Sequence, residues 1–481
     1  MSFNTYPFAI FIVIVYLLYL SLNHKWQNRM LLVASYVFYG SWDWRFLSLL
    51  FVSTLLSYFC GIKIFESTEK RGKKIFLGLA VFGNLSILGF FKYFDFFAEN
   101  LQILFHHLGI PLQPRLLHVI LPVGISFYTF QSISYSIDVY RDQIKPTYRF
   151  FDFALFISFF TQLLAGPIER AGHLLPQILS PRQITLTKFY EGIYLISWGL
   201  FQKMFIADSL ANIVDPIFAS DPPYSGTIVL IGTYAFVFQV LCDFDGYSNI
   251  ARGLGKMMGF DIFVNFNLPL FATNIQDFWR RWHITLSSWV RDYLYIPLGG
   301  NRKGNIRVYI NLMISMVAIG FWHGAAWHYI WFGVFEGSLL ILYRIFKPYL
   351  NQLTGPKSEL GQKIWLVLKI LFMFQITSLG YMFFRSRSIT QTLHMLHALI
   401  FNFTVTPDFT YLASSFLFFV FFFLMIQIYQ FKKDDLMIVM KWPTYGKTIF
   451  ALVMVYLSLY VMILGKNAQI GSSSSFIYFQ F

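Results

Sequence analysis

Apolar runs separated by short polar connections alternate along almost the whole chain. A helix needs about 20 predominantly apolar residues to cross a membrane, so the longer runs predict transmembrane helices. The short runs at 30–41 and 150–166 predict tilted, broken or re-entrant helices instead. The pattern as a whole predicts roughly ten to thirteen membrane-embedded helices. The apolar runs lie at about 7–23, 30–41, 46–64, 75–94, 118–137, 150–166, 186–207, 226–244, 306–324, 328–346, 363–385, 411–430 and 445–464.

The composition excludes an ordinary soluble protein. Of the 481 residues, 57% are hydrophobic and 12% are charged, whereas soluble domains carry about 25% charged residues. A transmembrane barrel would show short segments of alternating polarity rather than continuous apolar runs. The predicted fold class is therefore an all-α polytopic membrane protein.

Positive charge is concentrated in the connections between the apolar runs. The formal net charge is +14, and this distribution follows the positive-inside pattern of membrane proteins rather than that of a nucleic-acid-binding surface. A basic cytoplasmic face also favours contact with anionic membrane lipids. The basic connections, which are predicted to be cytoplasmic, lie at 63–74, 141–149, 252–307 and 432–447.

If every apolar run crossed the membrane, successive connections would lie on alternate sides, and this does not agree with all of the predicted cytoplasmic and outside connections. The loop 208–226 contains no Lys or Arg and is predicted to lie outside. At least one segment near 150–207 is therefore predicted to turn back without crossing, which a membrane protein tolerates only where the backbone is buried in protein.

The longest interruption of the apolar pattern is 245–305. Trp279, Trp282 and Trp289 are interleaved there with several arginines, and amphipathic aromatic and basic side chains are typical of the lipid head-group level. The interruption therefore predicts interfacial or re-entrant helices that cover one mouth of the bundle. If this region is helical, Asp277 can pair with Arg280 or Arg281. With no soluble segment appended, residues 1–481 are predicted to form one integral membrane domain.

A histidine, His323, lies inside the apolar run 306–324. An ionisable side chain in a membrane span indicates a functional site, because hydrocarbon accommodates it poorly. Imidazole titrates near neutrality and can accept or donate a proton in catalysis. The alternative is that His323 hydrogen-bonds a neighbouring helix and only stabilises packing. His328, five residues on, is a second histidine able to substitute for it.

A second apolar run, 118–137, carries several hydroxyl side chains and one amide, Gln131. Small polar residues often hold membrane helices together. The functional alternative is that these side chains line a wet tunnel.

Four blocks of residues occur together in an order that resembles the membrane-bound O-acyltransferase (MBOAT) family. The resemblance extends from about residue 30 to residue 400. The ending 476–481 and the segment Tyr-Met-Phe-Phe-Arg at 381–385 resemble the bacterial alginate O-acetyltransferase branch of that family. The four blocks are Pro-Val-Gly-Ile-Ser-Phe-Tyr-Thr-Phe-Gln-Ser-Ile-Ser-Tyr at 122–135, Ala-Gly-Pro-Ile-Glu-Arg at 165–170, Phe-Trp-Arg-Arg-Trp-His at 278–283 with Tyr-Ile-Pro-Leu-Gly-Gly-Asn-Arg at 295–302, and Gly-Phe-Trp-His-Gly-Ala-Ala at 320–326.

The resemblance implies an enzyme, an acyltransferase of the bacterial cytoplasmic (inner) membrane whose helices surround a central tunnel. It implies His323 as the catalytic histidine and His283 as the second histidine of the family. It implies neither a metal nor a bound cofactor, but a thioester donor, either acetyl-CoA or a carrier thioester. The acetyl group is then relayed to an extracytoplasmic acetyltransferase partner that modifies a polysaccharide acceptor. Trp322, Asn311 or a backbone amide are candidates to stabilise the oxyanion.

Three other interpretations stay open at this point. A D-alanyl transferase that acts on a teichoic-acid-type acceptor is the nearest enzymatic alternative. A transporter would also have interrupted helices with polar residues, but such folds usually carry paired repeats, and the sequence shows none. A non-enzymatic scaffold of an export complex would not need His283 and His323 within these blocks.

Overall fold

The computed structural model describes residues 1–110, 116–352, 355–467 and 476. Within these residues the secondary structure is entirely helical, with nineteen α-helices and no strand. This confirms the predicted all-α fold class. The C-terminal block 477–481, on which part of the family resemblance rests, lies outside the described residues.

The helices group into two compact units. Unit 1 comprises residues 1–193 and 250–263, and unit 2 comprises residues 194–249 and 264–481. The single domain over residues 1–481 stays a prediction. The nineteen helices are α1 Tyr6–Ser21, α2 His24–Asp43, α3 Leu47–Glu66, α4 Lys70–Leu88, α5 Phe94–His107, α6 Ile125–Tyr140, α7 Phe150–Ser158, α8 Ala171–Leu179, α9 Leu186–Phe201, α10 Asp208–Ala219, α11 Gly226–Met257, α12 Ile275–Arg281, α13 Ile284–Val290, α14 Gly304–His323, α15 Trp327–Leu350, α16 Glu359–Arg385, α17 Ile389–Phe401, α18 Pro407–Lys433 and α19 Thr444–Asn467.

Eight helical stretches among the described residues are long and apolar enough to cross a membrane, and α1 and α17 are shorter apolar helices. Together these stretches reach the lower end of the predicted range. The chain is therefore a polytopic membrane protein. The eight stretches are His24–Glu66, Lys70–His107, Gly226–Met257, Gly304–His323, Trp327–Leu350, Glu359–Arg385, Pro407–Lys433 and Thr444–Val461.

Hydroxyl side chains fix the starts of the last long helices. Ser358 before α16, Ser388 before α17 and Thr406 before α18 each accept a hydrogen bond from a backbone N–H in the first turn. An N-cap of this kind satisfies one of the backbone donors that a helix start leaves without a partner.

The run 150–166 behaves as the sequence predicts for a segment too short to cross. Its helix, α7, ends at Ser158 after nine residues. Residues 159–170 then follow an irregular path, and all of them except Arg170 are buried. A buried non-helical segment is the arrangement expected of a chain that turns back inside the protein.

The predicted start of the long interruption at residue 245 is wrong. Helix α11 continues without a break to Met257, because partners on the preceding π-helical turn satisfy the polar side chains of its C-terminal half. Gln202 donates to Asp245 at 2.7 Å, and Lys203 donates to Asp243 at 2.6 Å. Hydropathy alone does not reveal such pairs.

The head-group level of the tryptophans stays a prediction, and the structure adds that their side chains pack within the protein. Trp279, Trp282 and Trp289 are all buried within the protein. The short helices α12 and α13 that carry them do interrupt the long apolar helices, as predicted. Asp277 pairs with Arg281, at 2.9 Å, within α12.

Candidate active site

Helices α14 and α15 form a close hairpin in unit 2, and glycines make the approach possible. A Cβ atom at Gly320 would collide with the carbonyl oxygen of Tyr329, and one at Gly333 would lie 2.5 Å from the carbonyl oxygen of Met316. Small residues let membrane helices approach to backbone contact. This packing fixes the C-terminal end of α14, whose last residue is His323.

Aromatic rings enclose the His323 side chain, which is 5% exposed. Its ring centroid lies 5.0 Å from that of Phe384, 5.0 Å from that of Trp322 and 6.3 Å from that of Phe332. These contacts remove the imidazole from bulk solvent. A proton-transfer group in such a place reacts in a medium of low dielectric constant.

His283 is completely buried, and its backbone adopts a left-handed conformation with φ of 40°. A non-glycine residue in this region is strained and persists only where its surroundings hold it. Hydrogen bonds to Asn265 stabilise this conformation. Its carbonyl oxygen accepts from Ile284 N at 2.9 Å, and its side-chain oxygen accepts from the hydroxyl of Thr285 at 2.9 Å. The Asn265 amide in turn donates to Ser248 on α11 at 3.3 Å.

The two histidines lie side by side. Their ring centroids are 6.5 Å apart, and the Trp322 ring contacts both, at 5.6 Å from His283 and 5.0 Å from His323. Burial lowers the pKa of His283 well below its usual range, and the neighbouring His323 lowers it further. His283 is therefore neutral near pH 7, so it can donate and accept hydrogen bonds beside His323 without repelling a proton there.

Three other side chains named from the sequence have clear positions. The Trp322 ring contacts the rings of both His283 and His323. Asn311 precedes His323 by twelve residues on α14, which places it about 18 Å away along the helix axis, and its amide donates to the carbonyl oxygen of Gly300. Asn311 is therefore wrong as an oxyanion donor. His328 lies in the first turn of α15, with its ring 4.1 Å from that of Tyr329.

Asn265 and Glu336 are residues of this region that the sequence analysis missed. Glu336 is 1% exposed in the middle of α15, where its carboxylate accepts from the indole N–H of Trp279 at 3.1 Å. The signal for Glu336 was present, since an acidic residue inside the apolar run 328–346 marks an intramembrane site. Asn265 lies in an irregular segment, and no local pattern distinguishes it.

A cavity of 490 Å³ lies along one face of α14, within the range of about 300–1,000 Å³ typical of ligand sites. Its wall includes Leu312, Ser315, Met316 and Ile319. Ile319 precedes His323 by one helical turn, about 6 Å along the axis. The cavity therefore extends along the helix that ends at His323.

Cationic side chains cluster at this cavity. Arg280, Arg291, Arg344 and Lys347 contribute to its lining, and none of its described lining residues is acidic. Arg291 also pairs with Asp292, at 2.8 Å. An excess of cations in one cavity favours an anionic ligand, and phosphate groups are the partners that Arg binds best.

Comparisons with known proteins show which proteins this chain resembles. The chain is 41% identical to the probable alginate O-acetylase of Pseudomonas putida over 402 residues, which cover 83% of this chain and 79% of that protein. It is 35% identical to the peptidoglycan O-acetyltransferase of Helicobacter pylori over 411 residues, covering 79% of this chain and 74% of that protein. It is 28% identical to the teichoic acid D-alanyltransferase of Streptococcus thermophilus over 237 residues, covering 46% of this chain and 56% of that protein.

The family model of membrane-bound O-acyltransferases matches residues 141–384. This range includes His283 and His323 with the aromatic rings that enclose His323, and it also includes Asn265 and Glu336. The match spans half of the chain, and the similarity to the alginate O-acetylases extends over most of it. The chain belongs to the membrane-bound O-acyltransferase (MBOAT) family and is an acyltransferase.

Proposed function

We propose that this protein passes an acetyl group from a cytoplasmic thioester donor across the membrane for O-acetylation of an exported polysaccharide. The donor is acetyl-CoA or a carrier-bound acetyl group. An extracytoplasmic acetyltransferase partner completes the transfer, and the protein resides in the bacterial cytoplasmic membrane. The two similar proteins from Pseudomonas putida and Helicobacter pylori support the acetyl group and the glycan acceptor, since both are named as O-acetyl-transferring proteins of glycan polymers.

One observation carries the proposal: a basic cavity follows the helix that ends at His323, and the buried His283 lies beside it, with the two ring centroids 6.5 Å apart. A thioester that entered this cavity with its anionic tail among the cations would extend along α14 towards His323. The cavity then contributes orientation, which is a large part of the catalysis of a two-substrate reaction.

In the proposed reaction, His323 takes the proton of an acceptor hydroxyl as general base. The hydroxyl oxygen attacks the thioester carbonyl carbon, and a tetrahedral oxyanion forms. When the carbon–sulfur bond breaks, the thiolate leaves and receives the proton from His323. The indole N–H of Trp322, next to His323, is the candidate donor to the oxyanion. His283, being neutral, supports protonated His323 without charge repulsion.

The D-alanyl transferase alternative has weaker support. The similarity to the Streptococcus thermophilus enzyme covers less than half of this chain, at 28% identity. The similarity to the O-acetyl-transferring proteins covers about four fifths of it at 35% to 41% identity. Acetyl transfer is therefore the function that we propose.

The first test measures polymer O-acetylation in a strain that lacks this protein, complemented with wild type, His323→Ala, His283→Ala or His328→Ala. Loss of a general base costs about 10²–10⁴-fold in rate, so His323→Ala is expected to reduce acetylation to background. His328→Ala is the matched control and is expected to retain most of the activity. The abundance of each variant in the membrane is measured in parallel. Full acetylation with His323→Ala at normal abundance would contradict the role of His323.

The second test concerns the donor. Purified protein in proteoliposomes is supplied with radiolabelled acetyl-CoA, and acetyl transfer is followed for wild type, Arg344→Ala and Lys363→Ala. Arg344 lines the cavity, whereas Lys363 is an exposed lysine outside it that pairs with Glu359. We expect Arg344→Ala to raise the KM for the donor and Lys363→Ala to leave it unchanged. Equal KM values would show that the cavity does not bind the donor.

A further inference from the structure

A group of buried polar oxygens inside unit 1 is not used by the proposed reaction. The side-chain oxygens of Tyr39, Tyr128, Thr161 and Gln162 are shielded from solvent, and none has a hydrogen-bond partner among the described residues. All four residues are at most 2% exposed. A buried polar group without a partner destabilises the folded state, so a folded protein rarely keeps several in one region.

Three elements bring these oxygens together. Ser35 on α2 accepts from Phe160 N at 3.1 Å, which fixes α2 against the irregular segment 159–170. Tyr39 lies one helical turn after Ser35, and Thr161 follows Phe160. The side of α2 that carries Tyr39 is therefore next to the start of the irregular segment.

Helix α6 completes the group. The amide of Gln162 donates to the side chain of Gln131 on α6 at 3.4 Å. Tyr128 precedes Gln131 by three residues and so lies on the same face of α6. The hydroxyl groups of Tyr128 and Tyr39 are close enough to interact electrostatically. Tyr39 on α2, Tyr128 on α6 and Gln162 in the irregular segment thus lie around a common region, and Thr161 precedes Gln162 in the chain.

We propose that Tyr39, Tyr128, Thr161 and Gln162 line a hydrated site within unit 1, in which ordered water bonds to their side-chain oxygens. Buried water typically makes two to four hydrogen bonds to polar groups that lack other partners. The four side chains are uncharged, so the site suits a neutral hydrogen-bonding molecule rather than an ion. The proposal does not depend on the proposed acetyl transfer.

The irregular backbone of this segment agrees with the proposed site. Residues 159–170 continue the apolar run 150–166 but are neither helix nor strand. Non-helical backbone at membrane depth persists only where it is buried in protein or lines a water-filled cavity. Water at this site would bond to side chains that lie next to this irregular backbone. It would also give the run of hydroxyls on α6 a role in lining a wet region.

Radiolytic hydroxyl labelling with mass spectrometry tests the site in the wild-type protein in nanodiscs. Radicals form from water, so a buried ring that touches bound water is modified faster than a dry one. Tyr19 is the matched control, because it is equally buried but its hydroxyl donates to Met258 O and accepts from Arg182, each at 2.6 Å. We expect Tyr39 and Tyr128 to be modified several-fold faster than Tyr19. Equal rates would overturn the proposal.

A second experiment measures whether Tyr128→Phe raises or lowers Tm. If the Tyr128 hydroxyl anchors water, Tyr128→Phe removes favourable bonds and lowers Tm by a few degrees. If the hydroxyl has no partner, the same substitution removes an unsatisfied group and leaves Tm unchanged or higher. Tyr19→Phe, which loses its two bonds to protein groups, calibrates the size of a fall. An unchanged or raised Tm for Tyr128→Phe would overturn the proposal.

Discussion

The two histidines of the candidate active site are held by different kinds of contact. His323 ends a twenty-residue helix that is fixed by backbone contact with α15, and this contact requires glycines. His283 lies in a strained turn between two seven-residue helices, and hydrogen bonds from Asn265 hold it. The position of His323 therefore depends on glycines that have no side-chain atoms, and the position of His283 depends on the polar side chain of Asn265. These two dependences predict different responses to mutation.

The largest effect is expected from Gly320→Ala. The added methyl group would collide with the carbonyl oxygen of Tyr329, which is backbone and cannot rotate away. Overpacking costs about 1–3 kcal/mol in well-packed cores, occasionally more, and here the cost falls on the helix that places His323. We expect a lower Tm and loss of most acyl transfer, measured on the purified variant.

A matched control exists on another apolar helix. Gly78 lies on α4, and a Cβ atom added there would meet no atom within 4 Å. Gly78→Ala is therefore expected to leave transfer unchanged and to raise Tm slightly, because alanine is the better helix former by about 1 kcal/mol. If both alanine variants behaved alike, backbone contact of the α14–α15 hairpin would not be what positions His323.

Asn265→Ala is expected to have the next largest effect. It removes the side-chain acceptor for Thr285, at a cost of about 1–3 kcal/mol for buried groups left without partners. The strained turn at His283 should then relax, so that kcat falls while the KM for the donor stays near the wild-type value. Steady-state kinetics with the thioester donor measures both constants.

Asn265→Asp separates positioning from a general loss of structure. Because burial disfavours the ionised form of a carboxyl group, the neutral acid at this position keeps an acceptor oxygen for Thr285 and offers a hydroxyl in place of the amide that donates to Ser248 at 3.3 Å. We expect it to recover most of the activity that the alanine variant loses. Failure of Asp to recover kcat, with normal Tm, would remove the Thr285 bond as the cause.

The sequence predicted the helix-held histidine better than the turn-held one. An imidazole in an apolar run is conspicuous, and the family blocks place both His283 and His323 without any knowledge of their surroundings. The 6.5 Å separation and the support from Asn265 were not predictable, because they depend on the conformation of an irregular segment. The wrong start of the interruption at 245 has the same origin, since the pairing of Asp243 with Lys203 across 40 residues is not a local property.

Glu336 connects α15, which packs against the helix of His323, with α12, which precedes His283, and substitutions of Glu336 are expected to have a smaller effect. Its carboxylate on α15 accepts from the indole N–H of Trp279 on α12. Glu336→Ala leaves that buried donor without its partner, and we expect a loss of about 1–2 kcal/mol in stability. Glu336→Gln keeps an oxygen acceptor of the same shape and is expected to stay close to wild type. Equal denaturation profiles for the Ala variant and wild type would show that this bond does not tie α12 to α15.

The smallest effect is a difference in acid sensitivity. Burial and the neighbouring His323 lower the pKa of His283 in the folded protein. Below about pH 6.5 the unfolded chain therefore binds a proton at this histidine, whereas the folded protein does not. Stability from this group is complete above that pH and is lost as pH falls. His283→Asn removes the titrating ring, and asparagine tolerates the left-handed backbone. The fall in Tm over this pH range should therefore be smaller in His283→Asn than in wild type. Parallel curves would mean that His283 binds protons equally in both states, and the burial that distinguishes it from an exposed histidine would then have no energetic consequence.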